Sequence, residues 1–559
     1  MPEIDKVEIK VGGTALTADV QNDLAFVRVE ESVQLPNAFE LHFYDPFFQL
    51  FDRNLFKIGS AIEVSFRAGS SLVNVTKGEV TTINIEQGRG TGNELVVSGV
   101  DKMHRLHKKP KSHTFLNMTD SAIVSKVISD AGLTADVDST SDTHAYVVQH
   151  GQTDYEFILD RAMRNGYHVY FADGKVAFKK KPSASGTAPA LAWGTNLTKF
   201  KVRLSASERA DDVTVNSWDP TQKKTIAGKA TAASDLAMKY TTAPVLAAVE
   251  SQAKSSFGTV SRMTGHIPVD TQAEAKALAS SYLLKAMGSE VVVRGEAFGN
   301  PNIAAGASVA ISGVGASLTG SYTLTSVEHV YSAETGYVTR FVSSGKDPDT
   351  LADLIQGGGH ASATQGWGGL AVGVVTNAND PEKLGRVKVK IPVLSDEDES
   401  TWARVAAPGG GGTRGLSLIP EVQDEVLVGF EFGDMSRPVI LGGLWNKTDA
   451  PPTTDVKDGK VHTRVWQSRV GHKIEMVDDD SAATLTIAFK GGTSSIVLTK
   501  DGVTVKTDKT LTLDGKDIEV KASGKLSLEG SSGVSIKGGK VEINGSPDVT
   551  VSAPQIKLN

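Results

Sequence analysis

The sequence predicts a mainly β chain that ends in a repeat of short strands, and two observations carry that prediction. The first is that short alternating apolar runs recur through residues 1–345 and again over 370–446, broken by only three helix-like stretches. The second is the pattern that begins at Ile496. Apolar pairs separated by one residue follow one another: Ile496/Leu498, Val503/Val505, Leu511/Leu513, Ile518/Val520, Leu526/Leu528, Val534/Ile536, Val541/Ile543, Val549/Val551 and Ile556/Leu558. Their starts fall 7, 8, 7, 8, 8, 7, 8 and 7 residues apart, and Gly, Asp, Lys and Ser fill the joints. A pass this short buries two side chains on one face and cannot fold alone. Two closures satisfy the pattern. Three passes of one chain make one triangular turn of a β-helix, which gives a stub of roughly 15 Å at the usual strand spacing. Alternatively three chains wind together, each giving one side of a prism, and the needle reaches roughly 40 Å.

Composition narrows the function classes. The chain has 559 residues, 40% apolar and 22% charged, and 56 glycines in keeping with many corners. It has no cysteine, which excludes disulfides, thiolate metal sites and a cysteine nucleophile. A net charge of −7 argues against a nucleic-acid binder. The N-terminal MPEIDKVEIK lacks a signal-peptide core, and no apolar run approaches the length of a membrane-spanning helix. The expectation is synthesis in the cytoplasm without a cleaved signal.

In chain order, residues 1–100 read as strands at Val7–Val11, Leu24–Val29, Phe39–Phe43, Ala61–Phe66, Glu79–Ile85 and Glu94–Val100. Phe39, Phe43, Phe47, Phe48, Phe51 and Phe56 form an aromatic patch around Pro46, read as core with a loop packed on it. Residues 101–189 are mixed. Lys102, His104, Arg105, His107, Lys108, Lys109 and Lys111 form a basic cluster, read as a solvated loop or contact rather than a phosphate site. Helices are expected over Thr119–Ala131 and Thr153–Gly166, the second with Thr153 and Glu156 at capping-box spacing. Residues 190–345 return to strands with one long helix, opened by Thr271 and Glu274 and ended by Gly288. Its last strands are expected at Tyr322–Tyr331 and Tyr337–Ser343. A Gly-rich linker over 346–369 leads to strands at Leu370–Val375, Gly385–Ile391, Thr401–Val405, Glu425–Phe430 and Val439–Leu444, an OB-type unit over 370–446. Residues 447–495 are read as a connecting β segment that leads to the repeat, a β-helical needle over 496–559.

The OB-type unit carries a specific string: Leu384-Gly385-Arg386-Val387-Lys388-Val389, Pro392, Ser400-Thr401-Trp402-Ala403-Arg404-Val405, Pro420, Asp424-Glu425-Val426-Leu427-Val428, Phe430, Gly433-Asp434, Arg437-Pro438-Val439-Ile440-Leu441-Gly442, Trp445-Asn446 and Pro451-Pro452. It resembles the base domain of VgrG-type spike proteins, which fuse the hub and spike of contractile phage tails. Thr153-Asp154-Tyr155-Glu156-Phe157-Ile158 with Tyr170-Phe171 resembles part of that family's hub. Gln423 departs from the glycine often found there. The resemblance implies two hub β-domains with a small α+β insert, an OB-fold domain, and a needle that is an intertwined homotrimeric β-prism. The implied needle core is Val503, Val505, Leu511, Leu513, Ile518, Val520, Leu526, Leu528, Val534, Ile536, Val541, Ile543, Val549 and Val551. Ile556, Leu558 and Asn559 are the implied seat of a small PAAR-like tip protein.

Catalysis is not expected. There is no Gly-x-Ser-x-Gly elbow, His-Glu-x-x-His, P-loop or EF-hand loop, and the Gly409–Gly412 run lacks the Lys-Ser/Thr and helix of a phosphate cradle. None of the 12 histidines follows His472, so the repeats hold no His-x-His metal pair. About 50 residues separate Asn446 from Ile496, too few for an inserted hydrolase. The acidic runs Asp396–Glu399 and Asp478–Asp480 are read as solvated loops, and Trp402 and Trp445 as core. No cofactor, metal or catalytic residue is expected. The expected role is the central spike of an extracellular, phage-tail-like injection particle. Inner-tube and baseplate proteins meet the hub, a tip protein and effector cargo are carried, no nucleic acid is bound, and membranes are met only in transient puncture. The alternatives are a type VI secretion or phage tail spike with a cell-wall-degrading or glycan-binding adhesin role.

Overall fold

The computed structural model describes residues 7–88, 92–184, 187–231, 236, 238–265, 267–332, 334–345, 368–393 and 398–557. The chain separates into two compact units, Met1–Trp445 and Asn446–Asn559.

Strand alternation in the first unit produces one large antiparallel sheet of eleven strands. Its order is Leu197–Leu204, Val291–Phe298, Gly336–Ser343, Ser326–Ser332, Leu24–Ser32, Ala38–Tyr44, Gly92–Asp101, Ser71–Gly88, Ala61–Ala68, Val7–Val11 and Thr14–Ala15. Both strand-rich blocks of the sequence therefore feed one sheet. Their seam sets Ser326–Ser332 against Leu24–Ser32, with His329 opposite Val29 and Tyr331 opposite Val27. Successive side chains point to opposite faces, so Val27 and Val29 are fully buried with Phe39, Leu41 and Phe43. Phe66 of the first block stacks on Tyr337 of the second at 4.3 Å between ring centroids. Gly99 is required where Phe39 crosses the sheet: a Cβ there would lie 2.1 Å from the Glu79 carbonyl oxygen and 2.4 Å from the Phe39 ring. The aromatic patch divides. Phe39, Phe43 and Phe56 are core, whereas Phe47, just before the short helix Gln49–Asp52, and Phe51 within it are exposed.

The mixed segment forms the hairpin Lys111–Thr119/Thr143–Gln152, two helices and a three-stranded sheet. Helix Asp120–Asp130 buries Ile123, Val124, Val127 and Ile128, the face read from the sequence. Helix Asp154–Asn165 has both halves of the Thr153/Glu156 capping box, and Gly166 closes it at φ 68 in the left-handed region.

The second block differs from expectation in two places. It has two helices of more than ten residues among the described residues, not one. Pro244–Phe257 starts with proline at its first position and buries Val245, Leu246, Val249 and Ala253, but Ala243 gives it no side-chain cap. The other, Gln272–Gly288, carries half of its capping box: Thr271 Oγ1 accepts from the Glu274 N–H, while the Glu274 carboxylate accepts from the Asp270 N–H instead. The expected strand Tyr322–Tyr331 is two strands, Gly320–Thr323 and Ser326–Ser332. The chain changes sheets at the break, where Leu324 donates to the Ala307 carbonyl and Thr325 to the Val342 carbonyl.

Residues 371–443 form a five-stranded sheet in the order Lys388–Lys390, Ala371–Asn377, Glu425–Phe430, Pro438–Gly443, Arg404–Val405. Val375, Val387, Val389, Ala403, Val426, Val428 and Ile440 fill its core. Two strands are shorter than expected because only isolated bridges, Val387 to Ala403 and Lys390 to Glu399, link them. Neither tryptophan is core. Trp445 is 71% exposed, and Trp402 is half-buried beneath the cations of Arg386 and Lys388.

The second unit opens with the small hairpin Val456–Lys457/Lys460–Val461 and continues as a five-stranded antiparallel meander: Thr463–Gln467, Lys473–Val477, Thr484–Ala488, Ser494–Thr499 and Gly502–Thr507. The first two apolar pairs of the repeat are thus the last two strands of this meander. Directly opposed residues share a face, as do residues two apart. Trp466, Ile474, Ile487, Ile496 and Val505 therefore form one cross-strand row, and Arg464, Met476, Leu485, Leu498 and Val503 the next row on the same face. From Asp508 to Lys557 no residue is in a strand.

Candidate functional site

The residues read as needle core are the largest group of exposed apolar side chains in the second unit. From Leu511 to Val551 six pairs lie one after another, and in each the first member is 51–58% exposed and the second 62–71%. Every pass thus presents the same geometry to its surroundings. Every residue over 508–557 is exposed. A chain wound into its own β-helix would bond each turn to the next and bury these pairs, because unpaired backbone groups and exposed apolar faces are both costly. Among the described residues neither happens: over 508–557 the single chain forms no turn-to-turn ladder and buries none of these pairs. Val503 and Val505 pair within the chain but are also exposed, at 66% and 53%. Ile556 is 51% exposed, while Leu558 and Asn559 lie outside the described residues.

Other groups singled out by the sequence resolve into structure. The basic cluster becomes the 3-10 helix Lys102–His107 and the start of a strand. His104 and Arg105 both bond the Glu79 carboxylate, Lys111 reaches Asp154 at 2.6 Å, and His107 packs on the Tyr155 ring at 4.0 Å. Asp101 caps this helix, accepting from the N–H groups of Asn37 at 2.6 Å and Met103 at 2.7 Å. Complete burial pushes its carboxyl up to about 7 against those two bonds. Of the acidic runs, Asp396 and Glu397 lie outside the described residues, Glu399 pairs with Lys388, and Asp478 with Arg464. Asp479 caps a turn through the N–H groups of Ser481 and Ala482. Gly411 and Arg414 exchange backbone bonds and close the glycine loop on itself.

A joint that the sequence did not reveal lies in the first unit. His144, Asp270 and Glu274 bring ligand-type atoms within 4.8 Å of one another. Arginines already serve all three: Arg161 Nη2 is 3.1 Å from His144 Nε2, Arg164 Nη1 is 3.5 Å from Glu274, and Arg437 pairs with Asp270. Three guanidinium groups at these atoms oppose a cation, so the cluster is a charge joint rather than a metal centre. Arg164 also meets Asp160 at 3.5 Å and Asp434 at 3.6 Å, joining the mixed segment, the second block and the OB unit. Burial alone would lower the Arg164 pKa, but Asp160, Asp434 and Glu274 raise it above its ordinary value. Nearby, burial would raise Asp120, yet Arg161 and His144 hold its carboxyl well below the usual range. Arg164, Glu274 and Asp434 lie too far apart in sequence for any local pattern to betray them.

Residues 3–333 match the family model described as the Alg8 N-terminal domain. Residues 371–445 match the type VI secretion system/phage-baseplate injector OB domain. Among curated proteins, the chain is 28% identical over 140 residues to the type VI secretion system spike protein VgrG3 of Vibrio cholerae, covering 24% of this chain and 14% of that protein. It is 35% identical over 114 residues to VgrG2a of Pseudomonas aeruginosa, covering 19% and 13% respectively. The matched stretches thus span about a seventh of these relatives. Among solved structures, a chain of the Francisella PdpA-VgrG complex in its half-lidded form aligns over 90% of this chain and 88% of its own length, at TM-score 0.55 and 10% identity. The lidless form aligns over 90% and 98%, at TM-score 0.54 and 11% identity. These two likenesses are of fold.

Proposed function

The chain belongs to the family of the Alg8 N-terminal domain and is a VgrG-type spike protein, and from that premise we propose that it is the homotrimeric central spike of a contractile injection particle. The observation that carries the proposal is the row of six apolar pairs from Leu511 to Val551, all exposed in a single chain. Burying such a side chain is worth roughly 1.5–3 kcal/mol. Two further copies wound about a common axis supply both the missing apolar contacts and the missing strand partners. The needle core is then the set of residues from Val503 to Val551 named above.

In this reading the first unit is the hub and the second the needle. The eleven-stranded sheet gives a stiff base for inner-tube and baseplate proteins, and the Arg164 joint ties the mixed segment to the second block and the OB unit beside it. Contraction of the particle pushes the needle against a target envelope, and many cross-chain hydrogen bonds share the load. The work is mechanical and includes no covalent step. The particle is assembled in the cytoplasm and acts outside the cell. An exposed Ile556 supports a seat for a separate tip protein at the last pair of the repeat, and the similar Francisella VgrG is solved in complex with another protein, PdpA. Deleting Val549–Asn559 is expected to abolish tip binding while the hub stays folded, and an unchanged tip complex would refute that assignment. The test of the reading itself is mass in solution: a trimer of about 177 kDa, three times 59.0 kDa, against a monomer that would overturn it.

A further inference from the structure

We infer that the edge strand Leu197–Leu204 and the cationic groove beside it bind an extended peptide segment of another protein, one that carries carboxylates at alternate positions. The site lies within the sheet of a single chain, so it stands apart from the trimer reading.

The strand ends the eleven-stranded sheet, and its outer edge pairs with no other strand among the described residues. Alternation divides its side chains. Phe200 and Val202 pack on the hub core, whereas Lys199, Lys201 and Arg203 are exposed on the opposite face. Those three cations line a groove of about 970 Å³ together with Arg28, Arg294 and Arg340 from strands further in. Three carboxylates share the groove, and all are engaged. Glu296 meets Lys199 at 3.0 Å and Arg340 at 3.2 Å, Glu328 meets Arg340 at 3.1 Å and Arg28 at 2.5 Å, and Glu30 meets Arg28 at 3.7 Å. Lys201, Arg203 and Arg294 have no ion-pair partner among the described residues.

The three spare cations are also placed against one another. Lys201 stands directly opposite Arg294 across the ladder, and Arg203 follows two residues later on the same face. Like charges directly opposed weaken a sheet. Basic residues on an edge strand are a common guard against pairing with other chains. That role needs charge on the edge strand only, yet Arg294 and Arg340 lie one and two strands further in. An anion seated among Lys201, Arg203 and Arg294 removes the repulsion. The open edge makes that anion part of a strand. A segment laid along Leu197–Leu204 takes backbone hydrogen bonds from the edge and turns every second side chain to the groove. Carboxylates at those positions match the two-residue spacing of Lys199, Lys201 and Arg203. A free phosphate would neutralise the cations but leave the edge unpaired.

The full chain is titrated with a probe as long as the strand, eight residues of alternating threonine and glutamate. An isomer with its threonines before its glutamates, and tripolyphosphate, are compared with it. Affinity and amide exchange over 197–204 are read, with hub melting as the folding control. The alternating probe is expected to bind and to slow exchange at the edge about tenfold. The block isomer is expected to bind about tenfold more weakly, and tripolyphosphate to compete without slowing exchange. Lys201→Gln with Arg294→Gln is expected to weaken the alternating probe about tenfold or more. Lys457→Gln with Lys460→Gln, the same charge change on the exposed hairpin of the second unit, is expected to leave its affinity within about threefold of the parent. No binding of the alternating probe overturns the inference. Equal binding of the block isomer without slowed exchange also overturns it and leaves a simple anion site. An edge already protected in the free protein that opens on dilution overturns it too, and assigns the edge to another copy of the chain. A monomeric parent that binds the alternating probe defeats the trimer reading and leaves this inference standing.

Discussion

The hub unit and the needle unit use the same apolar residue types to opposite effect. In the hub, Val27, Val29, Phe39, Leu41 and Phe43 alternate with polar neighbours and are fully or almost fully buried by strands of the same chain. In the needle, Leu511, Ile518, Leu526 and Val534 alternate in the same manner and remain more than half exposed. Alternation fixes which face is apolar but not which chain covers it. The hub has enough sequence between its strands to return and cover its own faces, with helices as well as strands. Residues 508–557 advance in passes of seven or eight residues, and among the described residues no strand of the chain is paired with them.

Breaking the comparison at the needle gives the largest expected effect. Val541→Asp with Ile543→Asp puts six carboxylates into one layer of the trimer, at a cost of several kcal/mol per charge unless they take up protons. Loss of amide protection over 508–557, with unchanged hub melting, is expected. In the hub the largest effect falls on the charge joint. Arg164→Ala leaves Glu274, Asp160 and Asp434 without their shared cation. The expected loss is about 3–5 kcal/mol of hub stability, read by denaturant unfolding, with no change in needle protection. Arg164→Met, which also lacks the cation but retains more of the packing, should recover only part of that loss.

A smaller effect sharpens the comparison through pH. The Asp101 carboxyl is raised to about 7 by burial. The folded hub therefore holds a proton that the unfolded chain has released, and that contribution is present below the ordinary Asp range and lost as pH rises toward 7. Asp120 has the opposite sign. It is held down by Arg161 and His144, so its contribution is present above the ordinary Asp range and is lost only as pH falls below it. Asp101→Asn is expected to flatten the fall in hub stability between pH 5 and 7, measured by urea unfolding across that range. The smallest effect is local. Thr153→Ala removes half of a capping box at the start of Asp154–Asn165 and should cost about 1 kcal/mol.

Much of this was legible in the sequence, because alternation and capping are local. The first-block strands from Val7 to Val100, the helices capped by Thr119 and Thr153, and the OB strands were all readable. Helix Pro244–Phe257 was missed although Pro244 and the stripe Val245, Leu246, Val249, Ala253 were present, since Ala243 offers no capping side chain. The split at Leu324 was missed because an uninterrupted apolar run conceals a change of sheet. The joint of Arg164, Glu274 and Asp434 was illegible because it is assembled from three distant segments. The meander face was legible in principle: Thr463–Gln467, Lys473–Val477 and Thr484–Ala488 each alternate, but they lack the fixed period that made the later pairs conspicuous.

In the trimer proposed above, residues 508–557 acquire structure only from other copies of the chain. Amide hydrogen exchange across that segment, followed on the intact protein as it is diluted, tests it most directly. Exchange should be slow at high concentration and become fast at the same dilution at which the mass falls from about 177 kDa to 59.0 kDa. Fast exchange in a sample that is fully trimeric, or slow exchange in a monomer, would contradict the account.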